Sequence, residues 1–336
     1  MNLDRLTAIA RNSLFLGMAT VLDRGGEYLL VLYMARALGA EFLGDYILVL
    51  ALYQIFQKLG TFGLNQLIMR RVARDPASVT RLLGNYLLVS GGLALGLMAA
   101  MYVTANVLAY QGTVLLAMYV AILALLPGIL RGVAEAIISG LERMEFITLI
   151  SFIGSLIRVG TAIYLLSRGA PLPAVFWMLV LSEMLMSILY VVTIHHRLAR
   201  LELRANLAQS VQLLPAVANF FLMSIFLVGA NHVDAVILSK LADQRAVGLY
   251  GAALKLVQVI ILFRPAILQA LFPSMSSLFV SAPRRFEQLV ETSIRFFLSA
   301  LIPVAMIVTL WAGPIVPLLY GQDFQNATLT LQIMIW

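Results

Sequence analysis

The chain has 336 residues, of which 62% are apolar and only 12% are charged, and its mean hydropathy is +0.96. An ordinary soluble domain is about half apolar and a quarter charged, so this composition excludes a soluble protein. The absence of cysteine excludes disulfides, thiolate nucleophiles and thiolate metal sites. The net charge of +7 does not come from the basic blocks of a soluble nucleic-acid-binding domain, so we expect no nucleic-acid partner.

Apolar runs near 20 residues long recur along nearly the whole chain, and each can cross roughly 30 Å of hydrocarbon as a helix. The runs are continuous and lack the alternation of a barrel strand, so we predict an all-α polytopic membrane protein. The predicted helices span residues 12–37, 43–66, 82–106, 113–138, 146–167, 172–194, 213–239, 248–270 and 288–311, with an incomplete tenth from about residue 327.

Lysine and arginine are unevenly distributed between the predicted connections. The N-terminus and the connections after even-numbered helices carry about three times as many basic residues as the connections after odd-numbered helices. The positive-inside rule therefore predicts a cytoplasmic N-terminus. The longest connection divides the chain into an N-terminal six-helix bundle over residues 1–197, a cytoplasmic connection over 198–212 and a C-terminal bundle over 213–336.

A four-residue pattern occurs twice, at a constant separation of 204 residues. The copies are Arg36, Gly44, Tyr46, Gln54 and Lys240, Gly248, Tyr250, Gln258. Both copies begin at the same predicted side of the membrane, which indicates two parallel repeats. Six helices in the first repeat predict six in the second, so the second bundle looks incomplete, truncated in its fourth helix.

Charged residues inside the predicted spans are the candidates for function. The basic ones are Arg24, Lys58, Arg131, Arg158, Lys255, Arg264 and Arg295, and the acidic ones include Asp23, Glu27, Glu135, Glu183 and Asp234. At roughly 2.5–3.5 kcal/mol each, seven unpaired cations facing lipid would cost about 20 kcal/mol. This exceeds a typical net stability of roughly 5–15 kcal/mol, so most of these charges must face protein, water or the interface. For Arg264 and Arg295, near the predicted cytoplasmic ends, we favour ion pairing or snorkelling.

Gln54, Gln57, Lys58, Thr61 and Asn65 form a polar stripe along one face of the second predicted helix. Such a stripe indicates either hydrogen bonds between helices or one wall of an aqueous cavity.

Arg158 lies near the midplane of its predicted span and has no obvious partner in its own helix. Arg131 and Glu135 are one turn apart, which favours an internal ion pair over a ligand site.

Asp23 and Glu27 share a helix face near the midplane, where two ionised carboxylates repel each other. Either Arg24 bridges to Glu27, or the acids hold a proton or share a cation as an ion-coupling site. His232 is two residues from Asp234 and is either a proton-sensitive group or an ordinary polar contact. The three scattered histidines do not form a metal site. No nucleotide-binding loop or hydrolytic motif is visible, so we expect no catalytic residue and no cofactor, and ion-gradient energy for any pumping.

Short sequences spread along the chain resemble the polysaccharide biosynthesis family of Wzx-type oligosaccharide flippases. They are Ala35–Gly39 with Leu43–Tyr46, Gly60–Leu64, Gly140–Arg143, Val247–Tyr250 with Ala252, Ala253 and Lys255, and Leu319–Gly321 with Phe324 and Ala327. The resemblance implies the multidrug/oligosaccharidyl-lipid/polysaccharide exporter superfamily, with two helical bundles around a central cavity that opens alternately to each side. It also implies a multi-pass protein of the cytoplasmic (inner) membrane.

The cargo implied by the resemblance is a polyprenyl-diphosphate-linked oligosaccharide for the cell envelope, such as a lipopolysaccharide O-antigen unit. Membrane lipids and polysaccharide assembly proteins are the expected partners. A diphosphate requires cations, and we predict that Arg24, Lys58, Arg131, Arg158 and Lys255 bind the substrate. We assign ion coupling to Asp23, Glu27 and Asp234.

Two alternatives remain for the function. An ion-coupled multidrug extruder of the same superfamily would share the fold, but its cavity would favour carboxylates and aromatic rings. A membrane-embedded glycosyltransferase or polymerase would need a sizeable catalytic loop, and no predicted connection exceeds about 20 residues.

Overall fold

The computed structural model describes residues 3–76, 78–198, 214–261 and 281–336, together with residues 206, 210, 271 and 275–279. Within these ranges the chain is helical, with short turns and no strand. The helices are α1 (Leu3–Arg74), α2 (Ser78–Val107), α3 (Gly112–Gly140), α4 (Met144–Ser167), α5 (Leu172–Thr193), α6 (Leu214–Leu241), α7 (Gln244–Ile261), α8 (Pro283–Tyr320) and α9 (Ala327–Met334). A π-helical turn, Ile194–Leu198, continues α5, and a 3-10 turn, Gln322–Phe324, precedes α9.

Six helical segments of the described chain are long and apolar enough to cross a membrane. They are Thr20–Arg74, Leu83–Val107, Gly112–Gly140, Met144–Ser167, Leu172–Leu198 and Pro283–Tyr320. The predicted all-α polytopic fold is confirmed.

Helix α1 joins the first two predicted helices through a kink rather than a loop. Gly39 has φ 80° and ψ −179°, while the residues on both sides remain helical. A positive φ is accessible to glycine without strain, which explains why the direction changes here. The prediction of a break between residues 37 and 43 located the bend but gave it too many residues.

The boundaries near the C-terminus also differ from the prediction. Helix α8 continues to Tyr320, nine residues beyond the predicted end, although Pro314 and Pro317 lie within it. Prolines are tolerated in membrane helices because neighbouring groups satisfy the freed carbonyls. Residues 262–270 of the eighth predicted helix, including Arg264, lie outside the described residues.

By contacts within the chain, residues fall into two compact units, one of Met1–Tyr33 and Asp45–Asp243, the other of Met34–Gly44 and Gln244–Trp336. In the first unit, α3 packs against α2, α4 and α5. Tyr86, Ile137 and Tyr190 are fully buried in the core that these helices share. The bundle boundaries at residues 197 and 213 stay a prediction.

The second unit is organised around the kink of α1. Arg36 donates its Nε–H to the carbonyl of Leu319 at 2.7 Å and a second N–H to the carbonyl of Leu318. Asp323 accepts hydrogen bonds from the Ala40 amide at 3.2 Å and from Arg245 at 2.6 Å. These bonds attach the kink to the end of α8 and the start of α7.

Equivalent glycines of the two sequence repeats meet in the second unit. A Cβ on Gly44 would lie 1.8 Å from the carbonyl oxygen of Gln244, and a Cβ on Gly248 would lie 1.9 Å from that of Ala40. Only glycine allows two helices to approach this closely. The repeat pattern therefore marks a backbone contact between α1 and α7.

Candidate functional site

A polar cavity of about 120 Å³ lies within the first unit, between α1, α3, α4 and α5. At roughly 30 Å³ per water molecule, this volume corresponds to about four waters. Its polar and aromatic lining consists of Asp23, Glu27, Tyr46, Tyr53, Gln54, Gln57, Arg131, Arg158, Phe176 and Glu183. The cavity is therefore the size of a small ion with its hydration shell or of a phosphate group, and it is too small for an oligosaccharide.

Arg158 of α4 forms an ion pair with Asp23 of α1, with 2.8 Å between a guanidinium nitrogen and Oδ1. The Arg158 side chain is 22% exposed and the Asp23 side chain 48% exposed. One turn earlier on α4, the Ser155 hydroxyl donates to the Leu22 carbonyl at 3.3 Å. Since Gly26 has no side chain, Ser155 can approach α1 closely. The arginine thus finds across the helix interface the partner that its own helix lacks.

Arg131 of α3 has two carboxylate partners. Its Nε lies 2.6 Å from Glu183 Oε2 of α5, and another guanidinium nitrogen lies 2.5 Å from Glu135 Oε1. The predicted Arg131–Glu135 pair is confirmed. Glu183 is almost fully enclosed, with 3% of its side chain exposed, so the Arg131–Glu183 pair is the most buried charge contact of this cavity.

Carboxylates outnumber guanidinium groups in the cavity lining. Asp23, Glu27 and Glu183 face Arg131 and Arg158, although the predicted spans as a whole contain more cations than acids. Both arginines are held by acids of the protein, so any anionic ligand must compete with those acids. The surplus of cations over acids in the predicted spans therefore did not predict the surplus of acids in the cavity lining.

Four of the eight predicted site residues come together here, namely Asp23, Glu27, Arg131 and Arg158. The others do not line this cavity: Arg24 is exposed, Asp234 and Lys255 are half-buried on α6 and α7, and Lys58 is exposed.

The polar stripe of the second predicted helix divides between two environments. Gln54 and Gln57 line the cavity, whereas Lys58 Nζ lies 2.5 Å from His232 Nε2 of α6. Since an ammonium group has no lone pair, the imidazole nitrogen accepts this hydrogen bond. The stripe therefore provides both a wall of the polar cavity and a contact between helices, the two alternatives that the sequence allows.

The C-terminal end of α6 makes further contacts within the first unit. The Tyr110 hydroxyl and Ser239 Oγ are 2.8 Å apart, and Lys240 lies over the Tyr110 ring and donates to the Leu108 carbonyl. Burial raises the pKa of Tyr110, and its hydrogen bond with Ser239 opposes that rise. This phenol thus stays neutral and can act as a donor.

Glu183 is one of the acids within the predicted spans, but the sequence does not place it in the predicted site. Its neighbours one turn away on α5 are Leu179, Val180, Met186 and Ser187, none of which is charged. The available signal was the isolation of the acid itself, because a carboxylate alone in an apolar helix requires a partner from another helix.

The family described as "Polysaccharide biosynthesis protein" has a sequence model that matches residues 9–279. A similar protein of Haloferax volcanii is the "Probable low-salt glycan biosynthesis flippase Agl15". It is 22% identical over 97% of this chain and 68% of its own length.

Solved structures with a similar fold include a MOP superfamily transporter from Pyrococcus furiosus. Its TM-score is 0.64 at 14% identity, covering 98% of this chain and 77% of that one. An outward-facing multidrug resistance MATE family transporter has a TM-score of 0.65 at 13% identity, with coverages of 98% and 77%. An inward-facing MATE structure has a TM-score of 0.64 at 14% identity, with coverages of 96% and 76%. At these identities the likeness establishes a shared helical fold.

Proposed function

The chain belongs to the polysaccharide biosynthesis protein family, and from this premise we propose that it moves a polyprenyl-diphosphate-linked oligosaccharide across the cytoplasmic membrane by alternating access. The family assignment made from the sequence is confirmed. The protein is a flippase-type, multi-pass membrane transporter of the MOP superfamily. A lipid-linked glycan as cargo and membrane lipids as surroundings follow from the same premise.

The Arg158–Asp23 ion pair is the observation that supports this function best. Arg158 is mostly buried on a membrane-spanning helix and lines the cavity, so it requires an anion at its guanidinium. A guanidinium binds phosphate through two parallel N–H groups, as it binds a carboxylate. A phosphate oxygen of the cargo can therefore replace Asp23 at the same group.

Competition between Asp23 and phosphate links cargo binding to an ion gradient. Asp23 is half-exposed, so a proton or a cation can reach its carboxylate. Once Asp23 is neutralised, its attraction for Arg158 falls and the guanidinium becomes available to phosphate. In this proposal Glu27, which lines the same cavity, shares the coupling role with Asp23.

Arg131 is the second cation of the cavity, and two carboxylates hold it in place. Glu183, which lines the cavity, is almost fully enclosed and fixes the position of the guanidinium, and Glu135, which does not line it, is the second acid partner of Arg131. A phosphate group in the cavity therefore shares Arg131 with Glu183. The cavity volume of about 120 Å³ suits a phosphate group rather than a sugar. In this proposal the site binds the diphosphate that all such cargo shares and does not select the composition of the sugar.

Alternating access requires one side of the transporter to close while the other opens. The contact between Gly44 and Gly248, with the Arg36 and Asp323 hydrogen bonds beside it, is suited to a closed side because it brings two helix backbones together. In the proposed cycle this contact separates when the transporter changes state.

A multidrug extruder is the second candidate, and one observation favours it. Three carboxylates line the cavity together with the rings of Tyr46, Tyr53 and Phe176, a combination that attracts organic cations. Two of the similar structures are described as multidrug resistance MATE transporters. In this alternative, Arg158 and Arg131 only hold helices together.

Binding measurements on the purified full-length protein distinguish the two candidates. We expect a polyprenyl-diphosphate oligosaccharide to bind, inorganic pyrophosphate to compete with it, and Arg158→Gln to weaken binding about tenfold or more, since bonds to charged groups contribute roughly 1.5–3 kcal/mol. Arg158→Lys should weaken binding less. Arg295→Gln, in an exposed pair outside the cavity, is the matched control and should change affinity less than twofold.

The proposal is wrong if a lipophilic cationic dye binds and the lipid-linked oligosaccharide does not. It is equally wrong if Arg158→Gln and Arg131→Gln both leave lipid binding unchanged while the variants remain folded.

A further inference from the structure

An apolar groove of about 500 Å³ lies in the first unit between α2, α3 and the end of α5. Its floor includes Leu83, Val133, Ala134 and Ile137, which are buried in the shared core of these helices. At its mouth the Val191 side chain lies on the outer surface, 41% exposed. The groove therefore has a buried floor and an open side on helices that are long and apolar enough to span a membrane, so this side faces lipid.

The groove shares no lining residue with the polar cavity, but the same helices carry both. On α3, Arg131 faces the cavity, whereas Leu130, Val133 and Ala134 face the groove. On α5, Glu183 lines the cavity, and Ser187 and Val191 continue along the same helix face at four-residue spacing into the groove. A ligand in the groove thus lies against the two helices that hold the Arg131–Glu183 pair.

One end of the groove is basic. His195 and His196 line it, and their rings pack edge to face with centroids 5.0 Å apart. Arg197 follows directly, and all three side chains are exposed. They belong to the π-helical turn Ile194–Leu198, a rare backbone form that occurs often at functional sites. Imidazole N–H groups and a guanidinium are good donors to phosphate oxygens.

The position of these donors at one end of an apolar groove distinguishes them from ordinary charges at a helix terminus. The negative end of a helix dipole and the positive-inside rule both favour basic residues at the end of α5. Neither effect requires an apolar groove to end at the same residues. The sequence also predicts that this end faces the cytoplasm, where the membrane surface is anionic.

We propose that this groove binds one acidic phospholipid, with an acyl chain along α2, α3 and α5 and the phosphate at His195, His196 and Arg197. A lipid fits because the lining is apolar except for Ser187 and one end, where His195 and His196 line the groove and Arg197 follows them. The bilayer around these helices contains phospholipids, so the ligand is present next to the groove. The site is separate from the polar cavity and does not depend on which cargo is transported.

Lipid retention by the full-length protein tests the site. The purified protein is equilibrated with equal amounts of phosphatidylglycerol and phosphatidylcholine of the same chain composition, and retained lipid is measured by native mass spectrometry. We expect phosphatidylglycerol to be retained at least fivefold over phosphatidylcholine. His195→Gln with His196→Gln should lower phosphatidylglycerol retention severalfold without changing phosphatidylcholine. Arg143→Gln, an exposed basic residue outside the groove, is the matched control and should retain the wild-type preference.

A second variant tests the apolar part without altering charge. Val191→Trp places a large ring at the exposed mouth, where the risk of misfolding is small, and should lower phosphatidylglycerol retention as the histidine variant does. Equal retention of both lipids by the wild-type protein would overturn the proposal, as would equal loss of both lipids in the variants, which indicates non-specific surface lipid. Retention of a polyprenyl phosphate in place of phosphatidylglycerol would also overturn it, because the occupant would then be a carrier lipid.

Discussion

Removal of Glu183 tests the importance of the buried ion pair in the polar cavity. The Glu183 carboxylate lies 2.6 Å from Arg131 Nε and is 3% exposed. Breaking a buried pair by removing one partner usually costs about 3–5 kcal/mol, because the remaining charge is left uncompensated. Arg131 retains Glu135 at 2.5 Å, so we expect Glu183→Gln to destabilise the protein by about 2–3 kcal/mol, below the usual figure.

A double-mutant cycle isolates the contribution of the pair. Arg131→Gln leaves the enclosed Glu183 carboxylate without its cation, which is unfavourable for the same reason. Once either partner is absent, replacing the other should matter less. The double variant should therefore lose less unfolding free energy than the two single variants lose together. The difference, which is the coupling energy, should be about 1–3 kcal/mol.

Reversible unfolding of the purified protein in mixed detergent micelles, followed by tryptophan fluorescence, measures these free energies. Arg295 and Glu291 provide the control cycle, since their pair has the same 2.6 Å length but side chains 78% and 62% exposed. An exposed pair of this kind contributes about 0.3–0.5 kcal/mol. If the coupling energy of Arg131 and Glu183 is no larger than that of the exposed pair, the assignment of a buried, structurally important charge contact is wrong.

Two further predictions concern packing and topology. Gly44→Ala places a Cβ 1.8 Å from the Gln244 carbonyl and should lower the unfolding temperature. Gly92→Ala is the control and should not lower it, because the space at its Cβ position is open. Equal effects of the two variants would contradict a close contact at Gly44. A cysteine at Gln111 should react with an impermeant thiol reagent in intact cells and one at Asp75 should not, because the positive-inside rule places these turns on opposite sides; the reverse pattern would invert the predicted topology.

Contacts within one helix were predictable from the sequence, and contacts between helices were not. Arg131 and Glu135 are four residues apart, so helical geometry alone brings them together. Asp23 and Glu183 pair with arginines 135 and 52 residues away, respectively. Those pairs depend on which helices pack together and how each is rotated, and hydropathy carries little information about either.

The sequence repeat shows the same limit. The pattern places Gly44 and Gly248 at equivalent positions of the two repeats, but equivalent positions need not be in contact. The surplus of cations in the predicted spans likewise did not predict which cations line the polar cavity. Arg24 and Lys255 contribute to that surplus without lining the polar cavity. Arg24 lies on another face of α1 than Glu27, and Lys255 belongs to α7, which contributes no residue to this cavity.

Transport by the full-length protein in liposomes shows directly whether it flips a lipid-linked oligosaccharide. A fluorescent polyprenyl-diphosphate oligosaccharide is placed in one leaflet and its appearance in the other is followed, in parallel with movement of a cationic dye. We expect an ion gradient to drive flipping of the lipid. Arg158→Gln should slow flipping at least tenfold and Arg295→Gln should not, since charged hydrogen bonds contribute roughly 1.5–3 kcal/mol. Gradient-driven movement of the dye without flipping of the lipid would contradict the proposed function.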